Sequence, residues 1–374
     1  MDAHARFNSA AASAKPSTAA ACAASGHTVN MNTLVLRRPD DWHLHLRDGA
    51  ALEAVARFTA ARFARAIVMP NLAPPVTTTA LALAYKQRIL DALPGGMKFE
   101  PLMTLYLTER TEPREIERAQ ASGAVWGCKL YPAGATTHSD AGVRDVKRLD
   151  DVFARMSELN VVLQVHGEVT EPAVDVFDRE TRFIETVLAD LVERFPALRI
   201  VFEHVSTRAG VEFVQKSRAG VAATITPHHL LLNRNALFAG GLRPHHYCLP
   251  ILKSEEDRLA LVAAATSGNP KFFLGTDSAP HARAAKEAAC GCAGIFSAHA
   301  ALELYAEVFD AAGALPRLQG FASEFGADFY GLPRNDEKIT LLRDPWPVPH
   351  SLAFGQDELI PFRAGGQIMW RIAP

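Results

Sequence analysis

Eight times along this chain a short apolar run is followed by a longer amphipathic one, and that alternation limits the possible folds more than any other feature. The apolar runs are "TLVLRRPDDWHLHL", "ARAIVMPN", "KFEPLMTLYLT", "AVWGCKLYP", "VVLQVHGE", "LRIVFEHVS", "VAATITPHH" and "PKFFLGTDSAPH". Between them stand stretches of helical spacing, such as "GAALEAVARFTAAR" with Leu52, Val55, Ala56 and Phe58 on its apolar side. Strand and helix in alternation build a parallel sheet with helices outside it. Eight such units predict closure into a (β/α)8 TIM barrel. An open doubly wound sheet is the rival, but no Gly-rich phosphate turn follows the first strand. The tail from Leu341 to Pro374 carries "ELIPFRAGGQIMWRI", which predicts a final strand pair outside the barrel.

The length of 374 residues allows one large domain, and nothing linker-like divides the chain after Met31. Residues 31–374 therefore read as one barrel domain with a C-terminal extension. Residues 1–30, rich in Ala and Ser, read as a disordered extension or as the product of an upstream start codon. They hold no apolar segment of signal-peptide type. No window of about 18 apolar residues predicts a membrane span. A formal net charge of -2 gives no basic excess for nucleic acid or an anionic membrane, so the expected partner is a small molecule. Five scattered cysteines do not form a secreted disulfide framework, and a reducing cytoplasm is the simpler expectation. The "CGC" of Cys290 to Cys292 is a weak soft-metal signal without a second pair.

The polar residues gather at strand ends. In "DDWHLHLRDG", strand alternation puts His43, His45 and Arg47 on one face and Trp42, Leu44 and Leu46 on the other. Asn71 ends the second strand, Lys129 the fourth, His166 the fifth, His204 the sixth and Asp277 the eighth. In a barrel these ends converge on the face where catalytic residues collect. Taken singly, each has an ordinary structural explanation; meeting one geometric rule together, they point to a site.

Imidazole and carboxylate bind Zn2+, Mn2+ or Fe2+. Four histidines and an aspartate exceed the needs of one four-coordinate catalytic ion, so two ions with a water between them are expected. An ammonium cannot ligate. A desolvated lysine crowded by cations becomes a neutral amine, which can add CO2 to give a carbamate with one oxygen for each ion.

The segments "RRPDDWHLHLRDG", "MPN", "KLYPAGATT", "VHGEV", "FEHVST", "TPHHL", "RPHHYCLPILK", "FLGTDSAPH" and "KEAACGCAG" resemble, in order, those of the amidohydrolase superfamily and, within it, the short, single-domain bacterial dihydroorotases. The resemblance runs from about Leu34 to Pro374. It implies reversible, zinc-dependent cyclisation of N-carbamoyl-L-aspartate to L-dihydroorotate in pyrimidine biosynthesis. It also implies two Zn2+ per subunit, bridged by a hydroxide and by Lys129 as N6-carboxylysine. His43, His45, Lys129 and Asp277 would hold the more buried ion, and Lys129, His166 and His204 the other. Asp277 would also act as general base and then acid. Arg47, Asn71, His281 and the backbone near Ala293 would bind the substrate carboxylate, and the backbone of Leu249 its ring. Thr136 and Thr137 would lie on a mobile loop closing over the ligand. A cytoplasmic homodimer is implied as well. The alternatives are another cyclic-amide hydrolase, of hydantoinase or allantoinase type, and a non-catalytic barrel scaffold. Asp48 reads as the cap of the first helix.

Overall fold

The computed structural model describes residues 29–30, 32–289 and 291–374. Eight strands form one sheet in chain order: β1 (Asp41–Leu44), β2 (Arg65–Val68), β3 (Glu100–Tyr106), β4 (Val125–Leu130), β5 (Val162–Val165), β6 (Ile200–Phe202), β7 (Val221–Ile225) and β8 (Phe272–Leu274). Each pairs in parallel with the next. The ring is completed just beyond the outermost strands. Leu44 makes a parallel bridge to Ser278, Asp277 N donates to His43 O at 2.8 Å, and His45 N donates to Ser278 O at 3.1 Å. The (β/α)8 barrel predicted from the alternation is thus the observed fold.

Helices return the chain between strands, and their starts follow from local chemistry. Asp48 caps Gly49–Ala60 by accepting from Gly49 N at 3.0 Å, the role its position predicted. Thr78 caps Thr79–Asp91, Thr207 caps Arg208–Lys216, and Ser254 with Asp257 forms a capping box on Glu255–Thr266. The long helix expected after β5 spans Arg179–Arg194, with a π-helical turn at Ile184–Leu188.

The barrel wall has two faces. Outward residues such as Leu44, Val68, Leu105, Leu130, Leu163, Phe202 and Ala223 pack under the helices. Inward residues Ile67, Leu102, Val162, Val201, Ala222 and Phe273 fill the lower barrel. Above them the inward positions turn polar: Thr104, Lys129, Gln164, Glu203 and Thr224 are all fully buried. Strict alternation misplaces Trp42. The β1–β2 register shifts between Asp41 and Leu44, so Trp42 joins the inner cluster while Leu44 and Leu46 stay in the outer one. There its indole stacks on Tyr330, with centroids 4.7 Å apart and planes 9° apart. Tyr330 ends a short helix, Phe325–Tyr330, that plugs the bottom of the barrel. A Cβ on Gly326 would lie 2.0 Å from Trp42 Nε1, so only glycine lets this helix approach.

Two expectations outside the barrel need correction. "TLVLRRPDDWHLHL" is two strands. Thr33–Arg37 belongs to a separate antiparallel sheet, between Val29–Asn30 and Lys338–Leu342, and Pro39 lies in the break before β1. The tail does form strand pairs outside the barrel, but the strands of "ELIPFRAGGQIMWRI" do not pair with one another. Asp357–Leu359 pairs with Leu352–Phe354, Gln367–Ile368 with Trp346–Pro347, and Arg371–Ile372 with Lys338–Leu342. Pro361 withholds a ladder donor and Gly365 turns the chain at φ 72°, which separates the run into pieces with different partners. Residues 1–28, most of the expected N-terminal extension, lie outside the described residues, as does Cys290 of the "CGC" signal.

Candidate active site

At the C-terminal mouth of the barrel a small cavity is lined by His43, His45, Arg47, Asn71, Thr136, Thr137, His166, His204, Leu249, Asp277 and Ala293. These come from seven different strand ends or the loops after them. Tyr131, one residue beyond β4, lines it too. Lys129 sits on β4 below, fully buried, with Nζ 5.2 Å from the centre of the Tyr131 ring. Arg47 reaches the cavity by a different route from the one alternation predicts. β1 ends at Leu44, and Arg47 has φ 63°, so it is not on the strand face with His43 and His45. His204 and Asp277 also have positive φ, 42° and 44°, two residues beyond β6 and three beyond β8. Such backbone is costly for residues with a Cβ and persists where the surroundings hold it, commonly at functional sites.

The floor is a knot of imidazoles around one carboxylate. Asp277 Oδ1 lies 3.1 Å from His45 Nε2 and 3.4 Å from His43 Nε2. The His204 ring centre is 4.9 Å from that of His43 and 4.8 Å from that of His166. Two further carboxylates stand behind this knot. Glu203 Oε2 lies 2.9 Å from His43 Nδ1 and accepts from Thr224 Oγ1 at 2.5 Å. Glu168 Oε2 lies 2.9 Å from His166 Nε2. Asp41 joins the two ends of the ring by accepting from Thr276 N, Thr276 Oγ1 and His43 N. Sequence reasoning missed Glu203, Glu168 and Asp41, although each lies within two residues of a histidine it had singled out.

The electrostatics keep this group poised for cations. Burial pulls Lys129 down to about 8 and His45 to about 4. Burial, with Lys129 next in importance, takes His204 well below its ordinary value, and burial lowers His166. Burial opposes the charge on Asp277, but the imidazoles of His43 and His45 beside it outweigh burial and hold the carboxyl well below its usual range. His43 Nε2, His45 Nδ1, His204 Nδ1 and Lys129 Nζ are buried without a hydrogen-bond partner. Buried polar atoms normally have one. Donor atoms of His43, His204 and Asp277 lie within 4.8 Å of one another. A histidine such as His43, braced on its far nitrogen by Glu203 and unsatisfied on the near one, fits a metal centre.

The opposite wall is built for an anion. Arg47 Nε donates to Pro280 O at 3.0 Å, and Arg47 Nη2 lies 2.9 Å from His281 Nε2. His281 Nε2 is also 3.0 Å from Ala293 O. Burial and the neighbouring Arg47 take His281 down to about 2, so the imidazole beside the guanidinium is neutral. The loop bearing Thr136 and Thr137 lies across the cavity. Asn71 Nδ2 donates to Thr137 O at 3.1 Å, and Thr137 Oγ1 reaches Ala293 O at 3.4 Å. Ser139 Oγ donates to Thr136 O at 2.6 Å and accepts from Thr136 N at 2.9 Å.

Comparison with known proteins agrees with this architecture. A sequence model described as the amidohydrolase family matches residues 39–341. A dihydroorotase of Methylobacillus flagellatus is 64% identical over 340 residues, covering 91% of this chain and 99% of that protein. The crystal structure of a dihydroorotase from Campylobacter jejuni superposes with a TM-score of 0.84 at 36% identity, covering 92% of this chain and 98% of that one. A dihydroorotase from Saccharomyces cerevisiae, solved in complex with 5-fluoroorotic acid, gives 0.85 at 35% identity over 91% and 98%.

Proposed function

This chain belongs to the amidohydrolase family, among the dihydroorotases, and from that premise we propose that its cavity interconverts N-carbamoyl-L-aspartate and L-dihydroorotate, a step of pyrimidine biosynthesis. The enzyme is a metal-dependent cyclic amidohydrolase acting on a small molecule. The observation that carries the substrate assignment is half-buried Arg47, which lines one small cavity together with the imidazole knot and is backed by neutral His281, 2.9 Å from its Nη2.

The donor set supports two Zn2+ ions: His43, His45, Lys129 and Asp277 would hold one, and Lys129, His166 and His204 would hold the other, with Lys129 as N6-carboxylysine shared by both sets. Bound there, such ions supply Lewis-acid polarisation of the amide carbonyl and activation of water. The chain's own residues do the rest. Arg47 offers a planar fork that suits both oxygens of the substrate carboxylate. Its geometry is set by Pro280 O and His281. Asn71 lies beside it and ties the loop of Thr136 and Thr137 down over the cavity, excluding water. The backbone near Ala293 helps hold the carboxylate, and the backbone of Leu249 reads the ring. Asp277 Oδ accepts a proton on ring opening and returns it to the leaving nitrogen, and does the reverse on closure. A carboxylate held ionised by two histidines is ready for the first half of that cycle.

Kinship supports a cytoplasmic homodimer with residues 31–374 as one barrel unit. No helix among the described residues is long and apolar enough to cross a membrane. The rival within the family is hydantoin or allantoin hydrolysis, whose substrates lack the carboxylate that Arg47 and His281 suit. Turnover of dihydroorotate, hydantoin and allantoin by the purified enzyme decides between them. Preference for dihydroorotate is expected, and equal or faster turnover of the other two overturns the assignment.

A further inference from the structure

A second set of metal donors is enclosed behind the cavity wall. His228, His229 and Cys248 are buried, and one donor atom from each lies within 4.8 Å of the others. The two histidines lie in the short helix Pro227–Leu231 after β7, and Cys248 comes from the connection that follows. His228 is fully buried, and neither of its ring nitrogens has a hydrogen-bond partner. Its ring centre is 4.7 Å from that of His229. Both ring nitrogens of His229 have partners: Nδ1 lies 2.7 Å from Thr226 Oγ1, and Nε2 faces Pro250 O at 3.0 Å. Cys248 Sγ donates to that same carbonyl at 3.3 Å, so thiol and imidazole converge on one point.

We propose that His228, His229 and Cys248 form a separate metal site of thiolate–imidazole type, for a borderline or soft cation of the Zn2+ class. Two imidazoles and a thiolate are the donors such cations select. Binding replaces the Cys248 S–H bond with a sulfur–metal bond, and the proton passes to solvent. His229 frees Nε2 by carrying its proton on Nδ1, where Thr226 Oγ1 accepts it. Uptake releases the thiol proton and so tightens as pH rises. Leu249 follows Cys248 directly and lines the cavity, so an ion here braces one wall of the substrate pocket.

The site stands independently of the activity assigned above, and cobalt tests it. None of the ligands assigned to the active centre is a thiolate, so a sulfur-to-cobalt charge-transfer band does not arise there, and its dependence on Cys248 separates this site from the other cysteines. Holoenzyme with its active-centre metal in place is titrated with Co2+. A further bound ion per chain is expected, with that band in the near ultraviolet. The band is lost in Cys248→Ser, and affinity falls about tenfold or more in His228→Gln, both variants keeping the wild-type circular dichroism. No band at saturating Co2+, an undiminished band in Cys248→Ser, or unaltered affinity in His228→Gln overturns the proposal.

Discussion

Glu203 holds His43 by its far nitrogen: Oε2 lies 2.9 Å from Nδ1, while Nε2 of the same ring turns toward Asp277. Both side chains are buried, so this carboxylate fixes which nitrogen is left for the cavity. Glu203→Ala removes the brace without touching the cavity lining. Metal affinity is expected to fall by roughly 10–100-fold. Dialysis of variant and wild type against a chelator measures it, and equal metal retention would sink the idea.

Lys129 is fully buried, and its pKa is lowered to about 8 by burial. A substantial neutral fraction is therefore present near neutral pH, which CO2 addition requires. Lys129→Ala is expected to lose metal and activity together, and short carboxylic acids are expected to restore part of both. Near-normal activity in the variant would rule out the carbamate bridge.

Arg47→Lys keeps the charge and loses the fork that meets Pro280 O and His281. A charge-assisted hydrogen bond contributes roughly 1.5–3 kcal/mol, so KM for dihydroorotate should rise by about one to two orders of magnitude. Steady-state kinetics check this. An unchanged KM would remove Arg47 from the substrate site.

His299 supplies a pH prediction away from the metal centre. Burial, with Arg62 beside it, takes its pKa down to about 3. The unfolded chain takes up that proton near pH 6.5. Between these values the unfolded state binds more protons, so stability falls as pH drops below about 6.5 and the loss continues to about 3. From pH 7 to 5 this one residue should account for roughly 2 kcal/mol. Denaturant unfolding at both pH values, with wild type and His299→Gln, isolates the contribution. The same pH-dependent loss in both proteins would contradict it.

The barrel was legible because its helices and strands carry their periods openly, and because Lys129, His166, His204 and Asp277 each follow an apolar run. Other features depend on contacts that no local pattern carries. Trp42 faces inward because the β1 register shifts and Tyr330, far along the chain, offers a stacking face. Arg47 enters the cavity through a left-handed residue conformation that alternation cannot describe. Glu203 and Glu168 stood beside flagged histidines, but which carboxylate braces which ring is decided across strands for Glu203, whose partner is His43. His228 and Cys248 meet only because a long connection folds back on itself.

The seam between β1 and β8 carries a consequence for how the protein is made. His43 and Thr276, which meet there, are 233 positions apart in the chain. On the proposed ligand set, a polypeptide leaving the ribosome N-terminus first exposes His43 and His45 long before Asp277. Full metal loading therefore has to wait until the last strand has emerged, and a chain interrupted before β8 can hold its early ligands but not close the centre around them.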